Sequence, residues 1–380
     1  MLRFLTAGES HGKGLVSILE GIPANLEISA KDINDELARR QVGYGRGGRM
    51  KIERDEVNIL SGVRLGKTMG SPIAMMIANR DHENWKDIMS EVLGPRFKVD
   101  KITKLRPGHA DFAGTAKYDQ SDIRNILERA SARETAARVA VGAVCKKFLK
   151  EFGIEVFSHV IQIGDITVSN QINSSNIAGW HQIWKRAETS DLRCADADAR
   201  ARMKNLIDKM QKDGDSLGGI FEVVVLGVPV GLGSHIQWDK RLSTKLSAAV
   251  MSIPAIKGVE IGIGFAGAKL AGSKVHDAMF IKGSKIYRKT NNAGGLEGGM
   301  TNGEPIVIKG AMKPIATIKK PLMTVDLKTQ KAVEAYVERA DTCAVPAAGV
   351  VAEAMVSYEI ASSFLEKHGG DSISEIKERV

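Results

Sequence analysis

Apolar residues along this chain fall into short continuous runs and into helical stripes, and the two kinds of pattern alternate from end to end. Runs at Leu2–Thr6, Leu15–Glu20, 154–163, Ile220–Leu226, 259–265 and 305–310 are too short for helices and read as strands. Asp32–Arg40 and Asp239–Met251 carry their apolar positions on one face and predict amphipathic helices. Between Asp122 and Lys150 apolar side chains recur at Ile123, Ile126, Leu127, Ala130, Ala137, Val141, Val144, Phe148 and Leu149, which predicts a long helical stretch. Its middle, Arg129–Thr135, is polar, and Ser131 with Glu134 spells a capping box. A helix start is therefore expected at Ser131, with free N–H groups flanked by Arg129 and Arg133, which is a ready anion site. A last helix is expected from Pro346, a good first-turn residue, to about His368.

The same grammar occurs twice. Gly8-Glu9-Ser10-His11-Gly12 leads into a strand and then Gly21-Ile22-Pro23, while Gly214-Asp215-Ser216-Leu217-Gly218 leads into a strand and then Gly227-Val228-Pro229. Glu9/Asp215, Ser10/Ser216, Gly12/Gly218, Pro23/Pro229 and Leu26/Leu232 match at one common offset of 206 residues. This predicts a single α+β domain over 1–380 built from two pseudo-equivalent halves, roughly 1–205 and 206–380. His11 stands where the second copy has Leu217. A titratable group in only one half is what a single asymmetric site requires.

Composition adds bounds. With 380 residues, 43% hydrophobic and 26% charged, the chain has ample material for a packed core. No uninterrupted apolar run of about 18 residues occurs, and the N-terminus turns polar too early for a signal peptide, so a cytoplasmic protein that does not meet the membrane is expected. Cys145, Cys194 and Cys343 lie far apart without a CxxC pair, which disfavours a disulfide framework and a metal site. A net charge of +9, 39 glycines and only 5% aromatic residues favour phosphate binding by guanidinium and backbone groups over base stacking.

Three motifs mislead. Gly43-Tyr44-Gly45-Arg46-Gly47-Gly48 fits G-x-G-x-x-G, but it follows a predicted helix, opens none, and lacks an acid near Thr68 where the ribose ligand belongs; a dinucleotide fold is excluded. Gly62–Thr68 spaces its glycines one residue short of a P-loop. Gly214-Asp215-Ser216-Leu217 spells a serine-esterase signature, yet no histidine has an Asp three residues before it, and the repeat explains Ser216 better.

What remains is a set of basic and acid/base groups. Arg39, Arg40, Arg46 and Arg49 surround the first glycine-rich loop, and Arg forks with backbone donors suit phosphate or carboxylate. A solvated loop and an RNA-binding Arg-Gly-Gly box compete with that reading, the latter weakened by having one unit and no aromatic strand. Arg106-Pro107-Gly108-His109-Ala110-Asp111 sets both charge signs beside a histidine on a turn. His11 sits in a glycine-bounded turn after a strand, whereas His82, His159, His181, His235, His276 and His368 read as structural. Asn291–Gly303 is a glycine-dense cradle or a mobile lid.

Taken together and in order, Gly8–Gly12, the Arg39–Arg49 loop, Arg106–Asp111, Arg129–Ala136, Gly214–Ser216, Met251–Glu260, Asn292–Gly295, Lys313-Pro314 and Arg339-Ala340-Asp341 resemble the chorismate synthase family over almost the whole chain. The resemblance implies a lyase that converts 5-enolpyruvylshikimate 3-phosphate to chorismate by 1,4-elimination of phosphate, with reduced FMN required. It implies a β-α-β sandwich, helices lying between two antiparallel sheets, assembled as a homotetramer. Carried over with it are His11 as general acid to the phosphate, His109 beside the reduced flavin, and Asp341 as base. The substrate has a phosphate and two carboxylates, so Ser10, Arg40, Arg46, Arg49, Arg106, Arg129 and Arg339 are its implied ligands. The implied FMN contacts are Arg129, Ala130, Ser131, Pro254, Ala255, Gly298, Lys313, Pro314, Ile315, Ala316, Thr317 and Arg339. Pro254 and Ala316 depart from the polar residues that some relatives carry. The family also assigns NADP to Arg40 and Arg46; without a dinucleotide fold these are expected to serve substrate, with reducing equivalents supplied by an external flavin reductant.

Overall fold

The computed structural model describes residues 1–47, 54–92, 100–169, 176–337 and 341–380. The chain opens as β1 (Arg3–Ala7) and β2 (Gly14–Glu20), then enters α1 (Ala30–Gln41) through a capping box in which Ser29 and Asp32 exchange hydrogen bonds. It returns as β3 (Val57–Ile59), a tight hairpin of β4 (Val63–Arg64) and β5 (Lys67–Thr68), and β6 (Ile73–Ala78). The order β1-β2-β6-β3 makes a four-stranded antiparallel sheet. The P-loop lookalike is thus a β-hairpin bounded by Gly62 and Gly66.

The predicted Asp122–Lys150 helix is broken. After α2 (Asp111–Tyr118) come a single turn, α3 (Arg124–Leu127), a 3-10 turn at Ala132–Glu134, and only then α4 (Thr135–Lys150). Ser131 caps the 3-10 turn by accepting from the Arg133 N–H, but Glu134 pairs with Arg138 instead of closing the box. Arg133 is buried against Asp55 and Asn79, so it does not flank an exposed helix start. A helical run does begin at Ser131, as expected, with Arg133 engaged by Asp55 and Asn79 instead of standing beside its first N–H groups. The polar segment bends because its side chains are recruited by the first sheet and its loops.

The second sheet begins with β7 (Glu155–Ile163) and β8 (Ile166–Thr167) and, after α5 (Ile177–Glu188) and α6 (Ala197–Asp213), continues as β9 (Gly219–Leu226). A 3-10 turn precedes α7 (Leu242–Met251), and β10 (Ile256–Ile261) stops short of the expected 265 because the chain turns into α8 (Gly264–Gly267) and α9 (Gly272–Val275). The hairpins β11 (Met279–Lys282) with β12 (Lys285–Arg288) and β13 (Leu296–Glu297) with β14 (Met300–Thr301) lead to β15 (Ile306–Met312). Strands in the order β10-β15-β9-β7-β8 form a five-stranded antiparallel sheet. The hairpin β16 (Met323–Asp326) and β17 (Lys331–Glu334) precedes α10 (Val345–His368), which has Pro346 in its first turn, and α11 (Ile373–Arg379).

α4 packs on β2 and β6 of the first sheet, α10 packs on β7 and β9 of the second, and the two helices pack on each other and on α1. Their approach is close: a Cβ on Gly142 of α4 would lie 2.2 Å from the Cβ of Ala354 on α10. α10 is long and apolar enough by length and composition to cross a membrane, but 78% of its most apolar window is buried in this packing, as a core helix must be. One hydrophobic cluster runs through both sheets and these helices; a smaller one, with Phe157, Trp180, Ile183 and Val224, lies under α5.

The repeated sequence grammar has a repeated hydrogen-bond pattern. In the first half Thr68 Oγ1 donates to the Pro23 carbonyl at 2.6 Å and accepts from Leu26 N–H at 2.9 Å; in the second, Thr301 does the same to Pro229 and Leu232 at 2.6 and 2.8 Å. Gly62 and Gly295 both have positive φ, and a Cβ on either would meet the carbonyl of Pro72 or Pro305 at 2.6 or 2.5 Å. Residues 14–78 and 219–312 each contain, in this order, a strand, a proline turn, a helix, a strand, a hairpin with a two-residue turn and a further strand, the second stretch adding α8, α9 and β11–β12 before its hairpin.

Candidate active site

The loop joining β1 to β2 is held on several sides. Ser10 N–H donates to the Glu128 carbonyl at 2.9 Å, and His11 N–H to the Glu128 carboxylate at 2.8 Å. Asn79 Nδ2 donates to the carbonyls of Glu9 and Gly12 at 2.9 and 2.8 Å, and Nδ1 of His82 lies 2.9 Å from the His11 carbonyl. The His11 ring packs on Trp85 at 4.2 Å between centroids, the two planes tilted by 35°, and its Nδ1 lies 2.9 Å from Glu128 Oε1. Burial would raise the Glu128 pKa, but the hydrogen bonds from His11 outweigh that and hold it below the usual carboxylate range. Ser131 Oγ meets Ser10 Oγ at 3.1 Å. Arg129 places its guanidinium on the main chain of this loop, at 3.0 Å from the Thr6 carbonyl and 3.1 Å from that of Gly8.

A second cluster gathers charge. Arg40, at the end of α1, is buried, with Nε 3.3 Å from Thr135 Oγ1 and a guanidinium nitrogen 3.7 Å from Asp55. Burial pulls its pKa down to about 10, and the neighbouring Arg133 and Arg46 push the same way against the attraction of Asp55. Arg46 Nε lies 3.2 Å from Asp341, whose other oxygen accepts from Gly47 N–H at 2.6 Å. Among the described residues, the guanidinium groups of Arg40, Arg46 and Arg133 thus gather around Asp55 and Asp341, and a cluster so rich in guanidinium suits an anion. Arg39, by contrast, turns away into a network with Glu36, Glu188 and Glu353, so it does not join the basic cluster expected around the loop. Arg49 and Arg339 lie outside the described residues.

The third part is the turn before α2. Arg106 binds Asp111 through its backbone N–H, Nε and Nη2 at 3.0, 2.9 and 3.0 Å, and Nη1 reaches Thr317 Oγ1 at 3.3 Å. His109 Nδ1 lies 2.5 Å from Asp111. Burial alone would raise the Asp111 pKa, but hydrogen bonds from His109 and Arg106 hold it at about 2. Lys313 Nζ donates to the Gly108 carbonyl at 2.5 Å, and its backbone N–H donates to Ala255, a residue with φ of 69°. Burial and the neighbouring Lys257 lower the Lys313 pKa. Among the described residues no carboxylate pairs with either lysine, so this corner suits an anion.

These parts are linked by contact. Arg133 joins Asn79 of the His11 loop to Asp55 beside Arg40. Thr342, next to Asp341, accepts from Leu217 N–H at 2.8 Å, Ser216 Oγ donates to the Ile315 carbonyl at 2.8 Å, and Thr317 meets Arg106. The structure thereby brings Ser10, His11, Arg40, Arg46, Arg106, His109, Arg129, Ser131 with its neighbour Ala130, and Asp341 into one connected region with Pro254, Ala255 and Lys313–Thr317. Gly298 stands apart: Gly299 accepts from Leu242 N–H at the start of α7, whereas Pro254 and Ala255 follow that helix's end, about 15 Å along its axis. Sequence reasoning passed over Glu128, Asn79, Asp55 and Trp85, whose partners are distant in the chain. For Glu128, an acid just before the polar break in the stripe was the available signal.

Two buttressed histidines, a carboxylate and a guanidinium-rich cluster in an antiparallel α+β frame define an acid/base enzyme for a small, multiply anionic substrate. Comparisons with known proteins specify more. The family profile of chorismate synthase matches residues 2–365. The chorismate synthases of Syntrophotalea carbinolica and Aquifex aeolicus are each 57% identical to it, covering 100% of this chain and 97% and 96% of theirs. A solved structure titled as a crystal structure of chorismate synthase superposes with a TM-score of 0.80 at 48% identity, over 100% of this chain and 96% of that one. The chain belongs to the chorismate synthase family. Its reaction is the chorismate-forming step of the shikimate pathway, from 5-enolpyruvylshikimate 3-phosphate, and its cofactor is reduced FMN.

Proposed function

We propose that the described cluster is where phosphate is eliminated, with His11 giving a proton to the departing phosphate, His109 acting beside the flavin, and Asp341 serving as base. The observation that carries this is His11 itself: a ring held by Glu128 and Trp85 in a loop tied down at five successive residues, joined to a cluster rich in guanidinium groups. Phosphate leaves poorly as a full anion, and a positioned acid relieves that charge. Arg40 and Arg46 bind the substrate's acidic groups and need no NADP. Arg106 and Arg129 add charge while holding the turns that carry His109 and His11, and Ser10 adds a hydroxyl. Arg49 and Arg339 are assigned by resemblance. Pro254, Ala255 and Lys313–Thr317, with Arg129–Ser131, would hold FMN, and Gly298, which stands apart from them, is assigned by resemblance. When bound, reduced FMN would supply an electron that the elimination borrows and returns to the flavin.

We further infer one domain, arranged as a sandwich with α4 and α10 between the sheets and derived from an internal duplication; the recurring threonine and glycine contacts support the duplication. A cytoplasmic homotetramer served by an external flavin reductant completes the proposal. The exposed apolar hairpin β11–β12, with Met279, Ile281 and Ile286 at its surface, supports assembly of copies. The test is anaerobic incubation with chemically reduced FMN and 5-enolpyruvylshikimate 3-phosphate. Stoichiometric release of phosphate and chorismate is expected, and no turnover would reject the proposal.

A further inference from the structure

Both site histidines meet a buried carboxylate through the same ring nitrogen. His11 Nδ1 faces both oxygens of Glu128, at 2.9 and 3.1 Å, and His109 Nδ1 faces Asp111 at 2.5 Å. The carboxylate side chains are 3% and 0% exposed. Each is also held by an arginine, Arg124 at 3.3 Å from Glu128 and Arg106 on Asp111, and each accepts a backbone N–H, from His11 and from Arg106. Two chain segments with no sequence relation have arrived at one arrangement: arginine, carboxylate, Nδ1.

An ionised carboxylate only accepts hydrogen bonds. The opposite tautomer would set the Nδ1 lone pair against an oxygen lone pair at these distances, so Nδ1 carries the proton. Nε2 is then the nitrogen left outside the pair. For His109 this also settles its other neighbour: with Nδ1 protonated, Arg106 Nη2 at 3.1 Å is a contact and not a donor to the ring. The His11 ring is fixed a second way, by Trp85, over whose ring Arg124 lies at 4.9 Å.

We propose that Glu128 and Asp111 are positioning residues that lock His11 and His109 as Nδ1–H tautomers, so that both histidines work through Nε2. The functional half of this rests on the assignment of the histidines to the chemical steps; the tautomer does not.

Glu128→Gln separates the two. Its single amide oxygen can satisfy the His11 backbone N–H only by turning its NH2 toward Nδ1, which favours the Nε2–H form. The measurement is long-range proton–nitrogen NMR of 15N-histidine-labelled full-length protein followed through a pH series, with His11→Gln and His109→Gln supplying assignments. Nδ1–H signals for both rings in the wild type, and Nε2–H for His11 in Glu128→Gln, are expected. Turnover should fall on the order of 100-fold or more with KM little changed, as for a catalytic histidine held in the wrong tautomer. Asp111→Asn provides the same test at an independent site if Glu128→Gln does not fold. Nε2–H signals in the wild type would overturn the proposal. A tautomer flip without loss of turnover would instead overturn the assignment of His11 to the chemistry.

Discussion

The two matching glycine loops do different work. In the first half, Ser10-His11-Gly12 presents an imidazole and is itself gripped by Glu128, Asn79, His82 and Arg129. In the second, Ser216-Leu217-Gly218 presents no titratable group and grips others: Ser216 holds Ile315, and Leu217 holds Thr342 beside Asp341. A Cβ on Gly218 would sit 2.2 Å from the Met312 carbonyl, so this loop lies tight against the strand that leads to Lys313. The frames beneath them, the Thr68 and Thr301 ties, have stayed alike. On the proposed reading, two like frames serve one asymmetric site, with the proton chemistry on the first loop and its support on the second.

The largest expected effect is on the chemical side of that contrast. His11→Ala and His109→Ala should each lower turnover by about 10²–10⁴-fold, while FMN affinity measured by fluorescence quenching stays within a few-fold. If His11→Ala chiefly abolished solubility or folding, the first loop would be structural, like the second.

Next comes the charged node that ties the halves together. Glu353 on α10 is fully buried and receives Arg39 from α1, Lys146 from α4, Arg193 from the loop between α5 and α6, and Ser158 from β7. Glu353→Ala removes the buried carboxylate that these cations share, leaving them only Glu36 and Glu188 at the edge of the network, and should cost about 3–5 kcal/mol in urea unfolding. Burial would raise the Glu353 pKa, but the three cations outweigh it and lower it; burial likewise opposes, and ion pairs hold, Glu188 at about 2 and Asp111 at about 2. Groups depressed in the folded state add stability that is complete above their unfolded values near ~4 and is lost as pH falls from there toward about 2. Melting temperature should decline across that window in the wild type and less steeply in Glu353→Gln.

Smaller and matched effects test the repeat. Thr68→Val and Thr301→Val each remove a hydroxyl that ties a proline carbonyl to a leucine N–H, and each should cost about 1–3 kcal/mol. Markedly unequal losses would argue that the two ties are not equivalent. Smallest of all, Ser216→Ala loses one hydrogen bond to Ile315, worth about 1 kcal/mol, with turnover reduced only a few-fold; complete inactivation would revive a nucleophilic Ser216.

Much of the frame was legible because continuous apolar runs and glycine-proline punctuation are local signals: β2, β9, α1 and α10 lie close to where the pattern set them. The break between α3 and α4 was legible as the polar Arg129–Thr135 segment with its capping signal at Ser131, but the destinations of Arg129, Arg133 and Glu128 were not, because their partners lie on the first sheet and its loops. Arg39 and Arg40 show the same limit within one helix. Successive positions point about 100° apart, so one enters the site and the other the Glu353 network, and only the packing of α1 decides which. His11 and His109 stood out by their turns, whereas the carboxylates that orient them needed the fold, since Glu128 lies 117 residues from His11.

The central claim, that one of two like loops carries the proton chemistry and the other supports it, is tested most directly by single-turnover phosphate release. Protein, chemically reduced FMN and 5-enolpyruvylshikimate 3-phosphate are mixed anaerobically, comparing His11→Leu, which makes the first loop match the second, with Leu217→Ala. His11→Leu should slow release by at least about 100-fold, and Leu217→Ala, which keeps its backbone bond to Thr342, should stay within about tenfold of the wild type. Equal slowing by both variants, or wild-type release from His11→Leu, would contradict the account.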